Sequence, residues 1–398
     1  MRYSIVILIS LLSTYSSGQN LFSNQLILPL DTTKQNNIYH YSDIHFGSTH
    51  FKTALPLKLY RGGFISGANK GKLTPIDRTN RTGGLIDLNI GGTFYKQNNK
   101  FINGWYVNMN WLQSTAVKYP QGLFNAIMDG NTTIENSINL SKTTGHIRNH
   151  HKFSFGVLRS KWSYGLTIGS INKEINGVLH NNSSIRFNKP YEWNISLDGE
   201  INATKPSSSN FTSNGISLGV DIIHHNQKNE KWNYSIGLNN FGIISLNNTS
   251  STYRLDTSFN FSGFNLQEWR NIDSSIANYT NSIDTSFSTN QITLSPFTLA
   301  ANTQLKIKNS LFIYSNLKYI HLSQENYSFS LGSYKKLNDK LLIGSGLNYH
   351  SISTFQLEVF SYYNTEKFNL GLKLNNLIGV IPSLGKSFGL QTFISWKI

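Results

Sequence analysis

Two groups of histidines carry the side chains in this sequence that are best suited to metal chemistry. His146, His150 and His151 lie within the stretch HIRNHH, and His224 and His225 form an adjacent pair. Imidazole is a common ligand of zinc. Neighbouring residues of a β-strand point to opposite faces, however, so adjacent histidines make a poor pair of ligands. We therefore expect solvated histidines near turns and no metal site.

Enzyme motifs give little support for catalysis. The sequence contains no H-E-x-x-H motif and no Walker loop, and its serines are too numerous for one to stand out as a nucleophile. It has no cysteine, which excludes thiolate ligands, cysteine nucleophiles, disulfides and a lipoprotein anchor. An enzyme such as an outer-membrane phospholipase is therefore ranked below two non-enzymatic functions, solute transport and a scaffold role. We expect no enzyme, with no catalytic residue and no cofactor.

A set of charged residues alternates with apolar residues along the candidate strands. If the apolar partners face lipid, the charged side chains point into a lumen, where they either pair with one another or line a solute path. The residues predicted to face inward are Asp87, Asp198, Asp221, Glu358, Lys367 and Lys373.

The elements that would position these charges are β-strands. Apolar residues recur at every second position from end to end, as in Trp105, Val107, Met109 and Trp111, and turns rich in Asn, Asp, Lys or Ser separate the runs. The opposite face is built of Gly, Ser, Asn and Thr, which suits a lumen better than the solvated face of a β-sandwich. The pattern predicts an all-β fold, an antiparallel transmembrane β-barrel of about 14 strands, with 12 to 16 allowed.

Both ends of the chain agree with a barrel of the outer membrane. Residues 1–18 have the basic, apolar and small-residue regions of a signal peptide with cleavage near Gly18, which leaves residues 19–398 as one barrel domain. Charged residues make up 14% of the chain, below the average of a soluble domain. The last residues alternate as a closing strand. Its apolar face is Phe388, Leu390, Ile394, Trp396 and Ile398.

Two segments break the strand pattern. Residues 119–131 have a proline at the start, apolar residues at helical spacing and a glycine where a helix would stop, which predicts a short helix that caps or plugs the lumen or forms a packing turn between strands. The candidate plug residues are Tyr119, Pro120, Leu123, Phe124, Ile127 and Met128. Residues 266–296 predict a long loop or a partly helical excursion.

Three stretches resemble motifs of a known family. They are Tyr119-Pro120 with Leu123-Phe124 and Gly130-Asn131, residues 238–244 with residues 261–266, and residues 374–379. They are similar to the Y-P-x-x-L-F and G-N, the D-L-G-F-I and F-S-G-x-x-L, and the L-x-N-x-I-G of uncharacterised Bacteroidota outer-membrane barrels in the FadL-like and PorV-like superfamily. The resemblance implies a barrel of about FadL size and brings no substrate or catalytic residue.

These features predict a monomeric outer-membrane barrel of a Gram-negative bacterium that binds or transports a small solute, hydrophobic in the FadL-like case. Gly91, Gly92, Gly344 and Gly346 are the candidate strand kinks. The alternative is a scaffold or accessory barrel, such as a type IX secretion partner or a surface adhesin. The formal charge of +15 indicates either solvated lysines in loops and at strand ends, or lipopolysaccharide or an anionic solute as a partner, rather than nucleic acid. The barrel-assembly machinery is the other expected partner.

Overall fold

The computed structural model describes most of the chain beyond the predicted signal peptide. The described residues are 36–61, 78–96, 102–129, 137–159, 161–189, 192–204, 213–226, 232–247, 250–261, 285–288, 291–321 and 326–398. The signal peptide at residues 1–18 lies outside them, so its cleavage stays a prediction. Most of the loop predicted at residues 266–296 also lies outside them.

The described residues form twenty strands and two short helices. The strands are β1 (Asn37–Ser48), β2 (Thr79–Tyr95), β3 (Gly104–Pro120), β4 (Ser137–Asn139), β5 (Thr144–Leu158), β6 (Trp162–Leu179), β7 (Ser184–Lys189), β8 (Glu192–Ala203), β9 (Gly215–Asn226), β10 (Trp232–Leu246), β11 (Ser251–Phe261), β12 (Thr285–Ser288), β13 (Ile292–Leu294), β14 (Thr298–Lys308), β15 (Leu311–Ile320), β16 (Asn326–Lys336), β17 (Leu341–His350), β18 (Thr354–Asn364), β19 (Phe368–Leu374) and β20 (Ser387–Lys397). The helices are α1 (Ala54–Arg61) and α2 (Gln121–Asp129).

Fourteen of these strands close an antiparallel barrel. The circuit runs through β1, β2, β3, β5, β6, β9, β10 and β14, continues in order from β15 to β20, and returns to β1. At the seam Ile38 lies opposite Trp396, and Phe46 lies opposite Phe388. The predicted strand number and the closing strand are confirmed.

The outer surface of this circuit carries an apolar belt. Along β3 the odd-numbered Trp105, Met109 and Val117 are exposed, whereas the even-numbered Tyr106 and Leu112 are buried. In β20 the even-numbered apolar residues face outward in the same way, and Ser395 is fully buried. A closed sheet with such a belt satisfies its own backbone hydrogen bonds and can face lipid, so we treat the barrel as membrane-spanning.

The described part of the chain contains no helix that could cross a membrane. Neither α1 nor α2 has the length and apolar character that a spanning helix requires.

The two ends of the barrel differ in their connections. At the end where β1 begins and β20 finishes, here called the turn end, neighbouring strands are joined by short segments such as residues 159–161 and 365–367. At the opposite end, the loop end, the connections include residues 49–78 and 121–143, which contain the two helices. Outer-membrane barrels have short periplasmic turns and longer extracellular loops.

A small sheet extends the barrel wall at the loop end. Beyond Ile171, strand β6 leaves β9 and pairs through Ile175–Leu179 with β8, which also pairs with β7 and β11. Strand β4 joins β7, and β12 joins β11. These five strands, the extension sheet, are outside the circuit of the barrel.

An aromatic layer fills the lumen near the turn end. Its buried members come from strands on both sides of the seam and pack on one another, with the rings of Tyr314 and Phe360 edge to face at 5.5 Å between centroids. They are Tyr39, Tyr41, Tyr314, Tyr334, Leu342, Phe360, Tyr362 and Phe393. The interior above this layer is polar and holds the candidate site.

Candidate functional site

Two small polar cavities lie inside the barrel. The first measures about 40 Å³ and is lined by residues such as Asp43, His45 and His350. The second measures about 70 Å³ and is lined by residues such as Asp221 and Asn240. We name them cavity 1 and cavity 2. Lys318 and Ile320 line both, so the cavities adjoin at strand β15.

Glu358 and Lys373, two of the charges expected to face inward, form an ion pair beside cavity 1. Strands β18 and β19 place the Lys373 ammonium 2.8 Å from the Glu358 carboxylate, and both side chains are almost fully buried. Ser330 and Asn348 donate to the same carboxylate at 3.0 and 3.1 Å, and Tyr314 donates to its other oxygen. A buried charge requires such pairing and hydrogen bonding to remain ionised.

Asp87 and Asp221 also face the lumen, as predicted, and both line cavity 2. Asn110 donates to the Asp87 carboxylate at 2.6 Å. The Asp221 carboxylate accepts from the Tyr106 hydroxyl at 3.2 Å and from the Asn240 backbone N–H at 2.6 Å. Asp221 thus ties strand β9 to β3 across the lumen and to its neighbour β10.

Two predicted inward charges lie elsewhere. Asp198 belongs to β8 of the extension sheet, where its carboxylate accepts an exposed hydrogen bond from Asn182 at 2.9 Å. Lys367 lies in the exposed turn between β18 and β19. For Asp198, the apolar and polar residues of β8 do alternate in the sequence, but alternation does not tell whether a strand belongs to the barrel. For Lys367, the strand that was expected to include it begins one residue later, at Phe368.

Further charged residues inside the barrel were not predicted. Lys318 lies 3.8 Å from Asp43, and Lys152 donates to the carbonyl oxygen of Pro296 at 3.2 Å. Near the loop end Arg148 and Glu174 form a buried bidentate ion pair. Lys152 could have been predicted to face inward from the sequence, because it alternates with Phe153 and Phe155, which are exposed on the outer surface.

Four of the described histidines are buried, and two of them, His146 and His150, belong to the group that was expected to be solvated near turns. His146 and His150 point into the lumen, and the Nε2 atom of His150 is 2.8 Å from the Ser217 hydroxyl. The rings of His45 and His350 lie against each other in cavity 1, with centroids 4.2 Å apart and planes tilted by 30°. Within the described ranges no group of three or more His, Asp or Glu residues is placed to hold a metal ion.

Ser217 lies in a sequence motif that was not recognised from the sequence alone. Gly215–Gly219 has the spacing G-x-S-x-G, which in hydrolases marks a nucleophile on a strand-to-helix turn. Here the motif is part of the regular strand β9, and Ser217 and His150 are both fully buried. The Nδ1 atom of His150 has no hydrogen-bond partner among the described residues. The pair therefore lacks the orienting group and the access that a nucleophile needs.

The barrel wall is irregular beside cavity 2. Asn239 and Asn240 form a bulge in β10, where the register with β9 shifts between Leu238 and Phe241. The bulge reverses the alternation, so both asparagines line cavity 2. On the other side of β10, residues 295–297 interrupt the wall between β13 and β14. We call this double irregularity the wall break.

A backbone hydrogen bond, from the Ser295 N–H to the Gly242 carbonyl at 2.9 Å, and several side-chain contacts hold the wall break closed. Asn240 has a left-handed backbone with φ of 57°, and its amide donates to the Ser295 hydroxyl at 2.7 Å and the Pro296 carbonyl at 2.9 Å. On the outer surface the Phe297 ring packs edge to face on Phe241 at 5.3 Å and stacks on His321 at 4.9 Å. We call these three rings the aromatic cover.

The glycines predicted as kinks lie in regular strands. Gly91 and Gly92 pair in register with β1, and Gly344 and Gly346 pair in register with β16. A Cβ on Gly346 would meet the Tyr314 hydroxyl, so that glycine makes room for the aromatic layer. The break occurs instead at an Asn-Asn bulge, one of the stretches on which the family resemblance depended.

The predicted helix is confirmed as α2, but it does not plug the lumen. Pro120 ends β3 and Gln121 begins the helix. None of the described α2 residues lines either cavity. The helix covers Tyr119, which shares the outward parity of Met109, and it packs on α1 and the extension sheet. The remaining candidate plug residues Leu123, Phe124, Ile127 and Met128 line an apolar groove there with Tyr119.

Comparison with known proteins gives a family match and distant structural likenesses. A model described as a family of unknown function (DUF5723) matches residues 43–381. No curated protein sequence matches the chain. Among solved structures, a Pseudomonas aeruginosa FadL homologue is 8% identical with a TM-score of 0.39, covering 90% of this chain and 88% of that one.

Two further barrels show similar values. The Pseudomonas putida toluene transporter TodX is 9% identical with a TM-score of 0.38, covering 96% of this chain and 93% of that one. The translocator domain of autotransporter NalP from Neisseria meningitidis is 6% identical with a TM-score of 0.33, covering 91% and 88%.

Proposed function

The chain belongs to DUF5723, a family of unknown function, and from its own geometry we propose an outer-membrane barrel that admits a small solute through the wall break. The supporting observation is that two neighbouring parts of the wall lose regular pairing at one place, directly beside a buried cavity. We place the loop end outside the cell, since long loops are extracellular in such barrels.

The two sides of the wall break suggest the chemistry of the solute. Its lipid side is aromatic through Phe241 and Phe297, and its lumen side carries Asp221, Asn239 and Lys152. A solute with an apolar body and one hydrogen-bonding group would suit both surfaces. This refines the expected hydrophobic solute.

In this structure cavity 2 is too small to hold such a solute. Cavity 2 measures about 70 Å³, less than half of the apolar cavity of about 150 Å³ that is known to bind benzene. Entry therefore requires the aromatic cover to move and β10 to separate locally from β14. Along the barrel axis, the aromatic layer fills the lumen on the side of the turn end.

A reversible cross-link tests this route in a chain that has no cysteine of its own. Leu238 and Leu299 are opposite residues of β10 and β14 beside the break, and such residues lie within disulfide reach. In the oxidised Leu238→Cys/Leu299→Cys variant, the apolar photolabel 3-trifluoromethyl-3-phenyldiazirine should no longer label Asn108 and Thr298 in cavity 2. Reduction should restore labelling, as mapped by mass spectrometry.

The matched control is Ser333→Cys/Ser345→Cys, which joins two opposite, exposed residues of the regular strands β16 and β17. Its oxidation should leave labelling of cavity 2 unchanged. Equal labelling of the oxidised and reduced forms of the break variant would refute passage through the wall break.

A further inference from the structure

The apolar groove at the loop end is a preformed site outside the lumen. It measures about 240 Å³ and lies between α1, α2 and the end of β3, lined by side chains such as Leu59, Val117 and Ile127. Every residue that lines it is apolar or aromatic. An apolar cavity of about 150 Å³ already binds benzene, so this rim groove has room for a longer hydrocarbon group.

Hydrogen bonds hold the walls of the rim groove in place. In the first turns of α2 the Gln121 side chain donates to Asn125 at 2.6 Å, and it accepts from Asn80 of β2 at 2.7 Å. The start of α1 is anchored by the Ala54 backbone N–H, which donates to the Pro382 carbonyl at 2.9 Å. Phe124 packs edge to face on His50 at 4.7 Å between centroids. The groove therefore exists before any ligand binds.

The rim groove opens on the outer surface of the barrel wall, beyond the apolar belt of β3. Val117 and Tyr119 belong to the odd-numbered row of β3 that includes the exposed Trp105 and Met109. On its open side Leu59 is 53% and Ile127 is 65% exposed. Gln113 and Thr115 lie between Met109 and Val117 in the same row, so an acyl chain that enters the groove from the edge of the outer leaflet passes these two polar side chains.

The segment that forms one wall of the groove is basic. Residues 49–61 contain Lys52, Lys58 and Arg61 and no acidic residue. Lys386 adds a fourth cation next to this segment, where it donates to the Thr49 carbonyl at 3.1 Å. Basic groups at a membrane surface attract anionic lipid headgroups.

We propose that the rim groove binds one acyl chain of a phosphorylated outer-leaflet lipid, with the phosphate held by Lys52, Lys58 and Arg61. The apolar groove accepts the chain, and its basic margin selects lipids with an anionic head. The inference depends on the barrel spanning the outer membrane with its loop end outward, but not on the wall break. It can therefore fail or succeed separately from solute passage.

Binding of lipid A to the delipidated protein in detergent tests the proposal. The wild-type protein should bind lipid A more tightly than dephosphorylated lipid A or palmitate. Replacing Lys52, Lys58 and Arg61 by Gln should weaken lipid A binding by roughly a hundredfold, since each cation near the membrane surface contributes about a factor of five. The same variant should bind dephosphorylated lipid A as the wild-type protein does.

A second variant tests the acyl-chain site itself. Leu59→Asn/Ile127→Asn should lower lipid A affinity by about tenfold or more, because the buried chain loses apolar contact. The matched control is Ile378→Asn/Leu384→Asn, which changes two similarly exposed apolar residues of the rim outside the groove. Both variants should keep the heat-modifiable gel mobility of a folded barrel.

Three results would overturn the proposal. Equal loss of affinity in the groove and control variants would show general lipid adsorption. Palmitate binding as tight as that of lipid A would assign the groove to a free amphiphile. Equal binding of lipid A and its dephosphorylated form by the wild-type protein would remove the headgroup role, and this comparison needs no variant to fold.

Discussion

The barrel interior and the rim groove are lined by opposite faces of the same strand, β3. Asn108 and Asn110 point into cavity 2, whereas Val117 and Tyr119 line the groove. Inside, charges are paired and held by hydrogen bonds, as in Glu358 with Lys373. Outside, the groove leaves Ile127 largely exposed. The interior is therefore closed by paired charges and hydrogen bonds, whereas the rim groove keeps an apolar surface exposed.

The largest expected effect comes from breaking the interior pairing. Lys373→Met leaves the Glu358 carboxylate buried without its cation, which should lower the free energy of unfolding by about 3–5 kcal/mol. The double variant Lys373→Met/Glu358→Gln should recover most of this loss. Urea unfolding in lipid vesicles measures both. Equal destabilisation of the single and double variants would show that the pair does not act as a unit.

A smaller effect is expected at the wall break. Asn240→Gly and Asn240→Ala remove the same side-chain hydrogen bonds to Ser295 and Pro296. Alanine must also adopt the left-handed backbone, which costs about 1–2 kcal/mol for an L-residue and little for glycine. The alanine variant should therefore unfold at lower urea than the glycine variant. The reverse order would mean that the bulge is not held in this conformation.

The sequence pattern was most informative where the membrane constrains it. Lipid on one side and a polar lumen on the other enforce alternation, so the barrel, its closing strand and the inward positions of Asp87, Asp221, Glu358 and Lys373 could be predicted. Asp198 was misplaced because β8 alternates equally well in the extension sheet.

Features that depend on pairing partners could not be read from the residues. The wall break can be recognised only when the register of β10 with β9 is known, because the pair Asn239-Asn240 fits a turn as well as a bulge. The helical spacing of residues 119–131 predicted α2 but not the side of the wall that it covers. Lys318 was missed because the strand that carries it was not recognised.

The most direct measurement of passage through the wall break is the rate at which a thiol in cavity 2 reacts. Ser154 lines that cavity, so Ser154→Cys places a single small thiol there. In liposomes, N-phenylmaleimide from the bilayer should label it roughly a hundredfold faster than a sulfonated maleimide, since a charge at the centre of the bilayer costs about 2.5–3.5 kcal/mol. Intrinsic reactivities are normalised on the exposed Asn181→Cys. Equal normalised rates, or faster labelling by the charged reagent, would contradict lateral access and indicate an aqueous path along the lumen.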